Sequence, residues 1–283
     1  MIWGPSPQIL FNRALGYFDG GVDMTEKIKI DDGLSIGGEE FTIIAGPCAV
    51  EDEEQMESIG RFLNRLEVKI IRGGAFKPRT SPKDFQGLGV DGLKILYHIK
   101  KKYNFKVISE IMDPRDIEEA YEYIDIYQIG SRNMQNYSLL KEMGKVDKPV
   151  LLKRGMSATI DEWIKASEYI RLKGNERIIF CERGIRTFEN YTRNTLDLIS
   201  VPIIRSETKY PILVDPSHGT GRRELVLPAS KAALALGAHG LMIEIHPEPE
   251  KALSDGAQSL NFSQFEILFN EINSMIKALK ANM

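Results

Sequence analysis

The chain has 283 residues, of which 42% are hydrophobic and 27% charged, and its formal net charge is −3. These values are typical of a globular protein with one large domain or two small ones, and the mild acidity argues against nonspecific nucleic-acid binding. No run of about 18 apolar residues predicts a membrane span, no secretory signal opens the sequence, and the two cysteines favour a reducing cytoplasm over a disulfide framework.

The first part of the chain predicts a short extension rather than a separate domain. Lys27–Ile30 and Gly38–Ile43 are strand-like and flank the turn signal Asp31-Asp32-Gly33, so we expect a β-hairpin. Residues 1–38 are fewer than an independent domain usually needs, which leaves residues 39–283 as the main folded unit. We expect the hairpin to cover the floor of that unit.

From residue 41 onward, short apolar runs alternate with amphipathic helices. Glu51–Leu66, Thr159–Leu172 and Asn261–Leu279 are clear helical segments, and Ser263 with Glu266 is a candidate capping box on the last. The apolar runs are rich in Ile, Val and Leu and barely alternate, as expected for strands covered on both faces. These strand candidates are Phe41–Ala45, Val68–Ile71, Lys106–Ser109, Ile124–Ile129, Pro149–Leu152, Arg177–Cys181, Pro211–Val214 and Gly240–Ile245.

Eight β-α alternations in about 240 residues predict a (β/α)8 TIM barrel, an α/β fold with a closed parallel sheet. An open doubly wound sheet is the alternative. It usually has fewer strands, and no Gly-x-Gly-x-x-Gly fingerprint follows the first strand here. Because the chemistry of a barrel gathers where its strands end, the residues just past each strand are the candidates for a site.

The most informative stretch follows the second apolar run and reads Arg72-Gly73-Gly74-Ala75-Phe76-Lys77-Pro78-Arg79-Thr80-Ser81. It holds three cations and no carboxylate in an acidic chain, which favours a site for small phosphorylated or carboxylated anions over a solvated turn. One cation at a strand end could be a surface charge, but several at one rim would repel one another unless anions fill the space. The candidates are Arg72, Lys77, Arg79, Arg132, Lys153 and Arg183.

A second group of strand-end residues, Cys48, His218, Glu244 and Asp255, offers the donors that a divalent transition ion accepts. Their separations match no metal motif, and only a barrel would bring them together. Each has another interpretation: a buried thiol, a hydrogen-bonded core histidine, or a turn cap. Glu244 lies within an apolar run and therefore needs a partner or a metal. From spacing alone the metal site stays open.

Several motifs together resemble 3-deoxy-D-arabino-heptulosonate-7-phosphate (DAHP) synthase, in its short β subfamily, which is close to 3-deoxy-octulosonate phosphate synthase. The resemblance runs from about residue 27 to the end. Its motifs are Gly46-Pro47-Cys48-Ala49-Val50-Glu51, Lys77-Pro78-Arg79-Thr80-Ser81-Pro82, Phe85-Gln86-Gly87-Leu88-Gly89, Cys181-Glu182-Arg183-Gly184-Ile185-Arg186-Thr187, Asp215-Pro216-Ser217-His218-Gly219-Thr220-Gly221 and Ser254-Asp255-Gly256-Ala257-Gln258-Ser259-Leu260.

The resemblance implies a TIM barrel that condenses phosphoenolpyruvate with erythrose 4-phosphate, the first step of the shikimate pathway. It implies a homotetramer with one divalent metal ion, Mn, Fe, Co or Zn, on Cys48, His218, Glu244 and Asp255. It also implies that Arg79 and Thr80 bind the sugar phosphate. By the same resemblance, the phosphoenolpyruvate site consists of Arg72, Lys77, Arg132, Lys153 and Arg183.

The predicted reaction is an aldol-like addition in which the ion acts as a Lewis acid on the aldehyde. Carbon 3 of phosphoenolpyruvate attacks the aldehyde carbon, water captures carbon 2, and phosphate then leaves by carbon–oxygen cleavage. Lys77 and Glu110 are candidates for handling that water, and His218 for proton transfer near the metal. The sequence does not rank them.

Three other functions remain possible at this point. Octulosonate phosphate synthases, which use arabinose 5-phosphate, carry Lys-Ala-Asn-Arg-Ser where this chain has Lys77-Pro78-Arg79-Thr80-Ser81, and the earlier arginine here suits a shorter aldose. A lysine-dependent aldolase would form an imine on Lys153. A non-catalytic sugar-phosphate sensor would be expected to lack some of the site residues. Residues 1–38 are too few for an attached regulatory domain of this family.

Overall fold

Eight parallel strands close into a barrel whose order follows the chain, which confirms the predicted TIM fold. The structure is a computed structural model that describes residues 25–38 and 40–281. The last strand pairs with the first, with Gly240 opposite Thr42 and Glu244 opposite Gly46. The barrel strands are β3 (Thr42–Gly46), β4 (Ile70–Arg72), β5 (Lys106–Glu110), β6 (Ile126–Ile129), β7 (Val150–Lys153), β8 (Ile178–Glu182), β9 (Ile212–Val214) and β10 (Gly240–Glu244).

Several barrel strands extend one residue further than their apolar runs predict. Arg72 pairs with Ile108, Glu110 with Gln128, and Lys153 with Cys181, so these ionisable residues belong to the strands and not to the following loops. The prediction was wrong there because it ended each of these strands just before an ionisable residue. The backbone ladder continues, and it holds these side chains more rigidly than a loop would.

Helices surround the barrel, and none in the described part of the chain has the length and apolarity that a membrane crossing needs. A capping box of Thr159 and Glu162 begins the helix that follows β7. The helices are α1 (Glu53–Arg65), α2 (Val90–Tyr103), α3 (Ile117–Ala120), α4 (Tyr137–Met143), α5 (Ile160–Arg171), α6 (Ser200–Glu207), α7 (Pro216–Thr220), α8 (Arg223–Ala235) and α9 (Phe262–Ala281), with short 3-10 turns at Pro114–Asp116, Ser131–Asn133 and Pro249–Lys251.

The predicted capping box of the last helix was wrong by two residues. Because α9 begins at Phe262, the residue before it is Asn261, and its partner three positions on is Gln264. Asn261 Oδ1 accepts from the Gln264 backbone N–H at 2.9 Å, and Gln264 Oε1 accepts from the Asn261 N–H at 3.0 Å. Ser263 and Glu266 lie within the helix instead.

A two-stranded hairpin lies under the barrel, as predicted, but its second arm differs. β1 (Ile28–Lys29) pairs with β2 (Ser35–Ile36), whereas the second arm was expected at Gly38–Ile43. Gly37 has a φ of 101°, which a residue with a side chain rarely adopts, so the chain turns there before entering β3. Residues 1–24 of the predicted extension fall outside the described residues, and the division at residue 38 stays a prediction.

The core has two parts, one inside the barrel and one between the barrel and its helices. Ile28 and Ile36 of the hairpin are buried against the inner part, which closes the floor. Cys181 also packs there, as its position within a strand predicts. The remaining inner residues are Ile44, Ile70, Ile108, Ile126, Leu151, Ile179, Leu213 and Met242. Because apolar side chains fill the interior, a site built from polar side chains has to lie at the open end of the barrel, opposite the hairpin.

The floor makes a testable contribution to stability. Ile36→Ala removes a fully buried side chain and should lower the free energy of unfolding by about 2–5 kcal/mol, measured by urea denaturation. Lys29→Ala, an exposed position on the same hairpin, is the control and should change it by less than about 0.5 kcal/mol. Equal unfolding midpoints for the two variants would contradict a contribution of the hairpin to stability.

Candidate active site

A cavity of about 240 Å³ lies at the carboxyl ends of the barrel strands. All six cations that the sequence singled out line it, and so do Thr80 and Glu110. The carboxylates that line it are Asp84, Glu110 and Asp255, and the cations outnumber them. That excess suits a ligand or ligands with several negative charges. The cationic lining is Arg72, Lys77, Arg79, Arg132, Lys153, Arg183 and Arg193.

Two of these cations are paired with carboxylates that are completely buried. Arg72 Nη1 donates to Glu244 Oε1 at 2.8 Å, and Lys153 Nζ donates to Asp215 Oδ2 at 2.5 Å. Removing one partner of such a pair would leave an uncompensated charge, at a cost of about 3–5 kcal/mol. These pairs fix the inner wall of the cavity.

Three buried polar atoms that border the cavity have no hydrogen-bond partner among the described residues. They are Arg72 Nε, Arg79 Nη2 and Glu110 Oε1. An unsatisfied buried donor or acceptor costs about 1–3 kcal/mol, so native structures supply it with water or a ligand. Two free donors and one free acceptor therefore mark where ligand atoms or water would be held.

The basic loop is folded onto the neighbouring strand-end loops. Lys77 N donates to Gln86 O at 2.9 Å, and Arg79 Nε donates to Phe85 O at 3.0 Å. Arg132 Nη1 donates to Pro78 O at 3.3 Å, which joins the loops after β4 and β6. Arg79 is thus held by its own loop, while its terminal Nη2 has no hydrogen-bond partner among the described residues.

Cys48, His218, Glu244 and Asp255, here called the donor cluster, come together beside the cavity. One ligand atom from each lies within 4.8 Å of all the others. His218 Nε2 is 3.3 Å from Glu244 Oε1 and 3.6 Å from Asp255 Oδ2. Cys48 Sγ is 3.3 Å from the same Asp255 oxygen. Sulfur, imidazole and carboxylate donors this close suit a divalent transition ion.

The hydrogen bonds of His218 orient its ring toward the cluster. Its Nδ1 is 2.7 Å from Asp215 Oδ2, which leaves Nε2 facing Glu244 and Asp255. A carboxylate behind the far ring nitrogen is the usual support of a metal-binding histidine. Lys77 Nζ and Ser254 Oγ each lie 3.0 Å from Cys48 Sγ.

Burial and charge set the protonation of the donor cluster. Burial, reinforced by the Glu244 carboxylate, raises the pKa of the Cys48 thiol to about 12. Burial also lowers the pKa of His218, so its imidazole is neutral near pH 7. Burial would raise the pKa of Asp255, but in the acid range where this carboxyl titrates His218 is protonated, and its charge, followed by that of Arg193, holds the pKa of Asp255 well below the usual range. Burial would also raise the pKa of Glu244, but His218 and Arg72 lower it below its usual value. The imidazole and the two carboxylates are therefore ready for a cation at neutral pH, and the thiol must lose a proton.

The sequence reasoning missed Arg193 and Gln258. Arg193 lines the cavity and donates to Asp255, and Gln258 donates to Glu244. Of the remaining histidines, His98 is exposed, and His239 accepts from the Ile212 N–H at the other end of the barrel. For Arg193, the available signal in the sequence was a second basic loop, after β8. Sequence alone does not say which arginine of that loop turns inward.

Comparison with known proteins identifies the family. A profile described as the DAHP synthetase I family matches residues 25–280. The chain belongs to the DAHP synthetase I family. It is 56% identical, over 246 residues, to a phospho-2-dehydro-3-deoxyheptonate aldolase of Thermotoga maritima, an alignment that spans 87% of this chain and 73% of the relative. The predicted family is confirmed.

Structural comparison agrees with this assignment. A crystal structure of the Thermotoga maritima DAHP synthase matches with a TM-score of 0.87 and 55% identity, over 90% of this chain and 74% of that one. A 2-dehydro-3-deoxyphosphooctonate aldolase of Syntrophotalea carbinolica is 32% identical over 92% of this chain and 99% of its own length. Both families that the sequence pointed to are therefore relatives, and the heptonate enzyme is much the more similar of these two.

Asp215 should make a stability contribution that depends on pH. Its pKa is well below the usual range, because His218 and Lys153 outweigh the effect of burial. A depressed pKa adds stability above the unfolded-state pKa of about 3.9, and that stability is lost as pH falls through the folded-state value. Asp215→Asn should cost about 3 kcal/mol at pH 7, measured by urea unfolding, and less at pH 3.

The control for Asp215 is Asp161→Asn, which alters an exposed surface pair with Lys165. It should change the free energy of unfolding by less than about 0.5 kcal/mol. A cost of Asp215→Asn that is the same at pH 7 and pH 3 would argue against the charge of Asp215 as its cause.

Proposed function

We propose that this chain condenses phosphoenolpyruvate with erythrose 4-phosphate, giving DAHP and phosphate, the first step of the shikimate pathway. The proposal rests on one observation: a cation-lined cavity and the donor cluster share one end of a barrel that belongs to the DAHP synthetase I family. A transferase of this kind needs both, because its two substrates are phosphorylated anions and one of them is an aldehyde.

The exposure of the cations supports a division of the cavity between the substrates. Arg72, Lys153 and Arg183 are buried, which suits the smaller phosphoenolpyruvate, with Lys77 beside them. Arg79 is half-buried and Thr80 exposed, which suits the phosphate of a longer sugar reaching outward. Arg132 is exposed and touches the Arg79 loop, so we assign it to the boundary between them.

The donor cluster supports dependence on a divalent metal ion. Its one thiol, one imidazole and two carboxylates fit such an ion, which when bound supplies Lewis acidity toward an aldehyde oxygen. Cys48, His218, Glu244 and Asp255 would hold it. Both ring nitrogens of His218 are engaged, with Asp215 and with the cluster, which supports a ligand role over the proton-transfer role also considered.

Glu110 and Lys77 are our candidates for handling the water that adds at carbon 2. Glu110 Oε2 lies 3.3 Å from Gln128 Nε2, while its Oε1 borders the cavity without a partner among the described residues. A free carboxylate oxygen can take a proton from water, and the buried ammonium of Lys77 can return one. The fixed cations orient phosphoenolpyruvate for attack by its carbon 3.

The alternatives are less well supported. Lys153 Nζ is held by the buried carboxylate of Asp215 at 2.5 Å, so this nitrogen is not free to attack a carbonyl carbon as imine formation requires. A sensing barrel would be expected to lack donors or cations, yet the expected residues are all present. The relatives that make the octulosonate product are 30–32% identical, against 56% for the heptonate enzyme.

Several details implied by the resemblance stay predictions. The four donors do not distinguish Mn, Fe, Co and Zn, all of which accept such ligands. A homotetramer and a cytoplasmic location also stay predictions.

A substrate assay tests the function directly. With phosphoenolpyruvate and a divalent ion, kcat/KM for erythrose 4-phosphate should exceed that for arabinose 5-phosphate, followed as consumption of phosphoenolpyruvate. A chelator should abolish turnover, and a divalent ion should restore it. Preference for arabinose 5-phosphate would favour the octulosonate reaction, and full turnover in excess chelator would remove the metal from the proposal.

The protonation of the cluster predicts how metal binding depends on pH. At pH 7.5 only the Cys48 thiol carries a proton that a ligand must lose, so each ion should release about one proton. Affinity should therefore weaken about tenfold for each unit that pH falls from there. Calorimetry in two buffers of different ionisation enthalpy measures the release.

Matched cysteine variants provide the control for proton release. Cys48→Ala should bind the ion weakly and release no proton, whereas Cys181→Ala, which alters the apolar barrel interior, should still release one. Equal proton release in the wild type and in Cys48→Ala would show that the thiol is not a ligand.

A further inference from the structure

Each carboxylate of the donor cluster has a second oxygen that points away from His218. Glu244 Oε1 faces His218, and its Oε2 accepts from Gln258 Nε2 at 2.5 Å. Asp255 Oδ2 faces His218 and Cys48, and its Oδ1 accepts from Arg193 Nη1 at 3.0 Å. The outer oxygens are therefore both occupied, and the inner oxygens face the cluster, where Glu244 Oε1 also accepts from Arg72 Nη1 at 2.8 Å.

Gln258 and Arg193 are themselves joined, which closes the connection between the two carboxylates. Arg193 Nη1 donates to Gln258 Oε1 at 3.0 Å. A carboxylate only accepts and a guanidinium only donates, so the amide of Gln258 has one orientation that satisfies both neighbours. A glutamate at position 258 would place its carboxylate against that of Glu244, with no donor between them. A leucine would make neither the bond to Glu244 nor the bond to Arg193. The position thus calls for a glutamine.

Arg193 is also tied to the helix that carries His218. Its backbone N–H donates to Thr220 O at 2.9 Å, at the end of α7. Gly221, with a φ of 67°, leaves room for the Arg193 side chain, which a side chain on Gly221 would obstruct. Gln258 is almost completely buried, whereas the Arg193 side chain is 40% exposed and borders the cavity. Arg193 therefore contacts one ligand carboxylate, that of Asp255, and also borders the cavity.

We infer that Gln258 and Arg193 are positioning residues that fix the two carboxylates of the metal site, and that Arg193 in addition binds anionic substrate. This inference rests on the proposed function, because it assumes that the donor cluster holds an ion. Gln258 acts on metal affinity alone, since it is buried behind Glu244. Arg193 acts on metal affinity and on substrate binding, since its side chain reaches both.

Cobalt titration separates these roles. Binding of Co²⁺ is followed by its thiolate-to-cobalt charge-transfer absorption. Gln258→Leu should raise the Kd for Co²⁺ about 10- to 100-fold, the range found when residues that support metal ligands are removed. At saturating Co²⁺ its KM for phosphoenolpyruvate should stay within about twofold of the wild type. Arg193→Met should raise both the Kd for Co²⁺ and that KM, by about tenfold each, and Arg193→Lys should recover part of the KM effect.

Arg186→Met is the matched control, because Arg186 is an exposed arginine of the same loop that does not line the cavity. It should leave both constants unchanged. If Gln258→Leu does not fold, Arg193→Met breaks the same connection from its exposed end. Wild-type Co²⁺ affinity in Gln258→Leu, or in Arg193→Met, would overturn the inference. A wild-type protein that gives no thiolate-to-cobalt band would instead count against the metal role in the proposed function.

Discussion

Two completely buried carboxylates, those of Asp215 and Glu244, fix the positions of the side chains around them at the open end of this barrel. A buried charge is costly unless it is paired, and each of these is paired with a cation from another strand: Lys153 with Asp215, and Arg72 with Glu244. His218 lies between them, with Nδ1 toward one and Nε2 toward the other. One imidazole is therefore oriented by two carboxylates, and two cations of the cavity are oriented by the same pair.

Closure of the barrel brings these partners together. β10 pairs with β3, so Glu244 at the end of the last strand lies opposite Gly46, next to the loop that carries Cys48. Gly46 has a φ of 153°, and any side chain there would collide with the backbone of Arg72. An open sheet would leave its first and last strands apart. The donor cluster therefore depends on the fold as a whole and on a close approach that only glycine permits.

Sequence reasoning succeeded where local pattern determines the outcome. Apolar runs and amphipathic helices predicted the barrel, and the ends of those runs marked the residues that line the cavity. It ended β4 before Arg72 because hydrophobicity alone cannot detect a charged residue that still continues the backbone ladder. It missed Arg193 and Gln258 because they lie in long loops without periodicity. Which of those side chains turns inward depends on tertiary partners such as Asp255 and Glu244.

The cations of the cavity differ in how freely they can respond to a ligand. Arg72 and Lys153 are held by buried carboxylates, so their positions are set before any anion arrives, and no reorganisation is needed when charge develops beside them. Arg79 and Arg132 are more exposed and contact mainly backbone carbonyls, so they can adjust to a phosphate. A rigid inner wall with an adaptable outer rim is consistent with the proposed division of the cavity, in which the smaller anion lies inside and the sugar phosphate lies toward the rim.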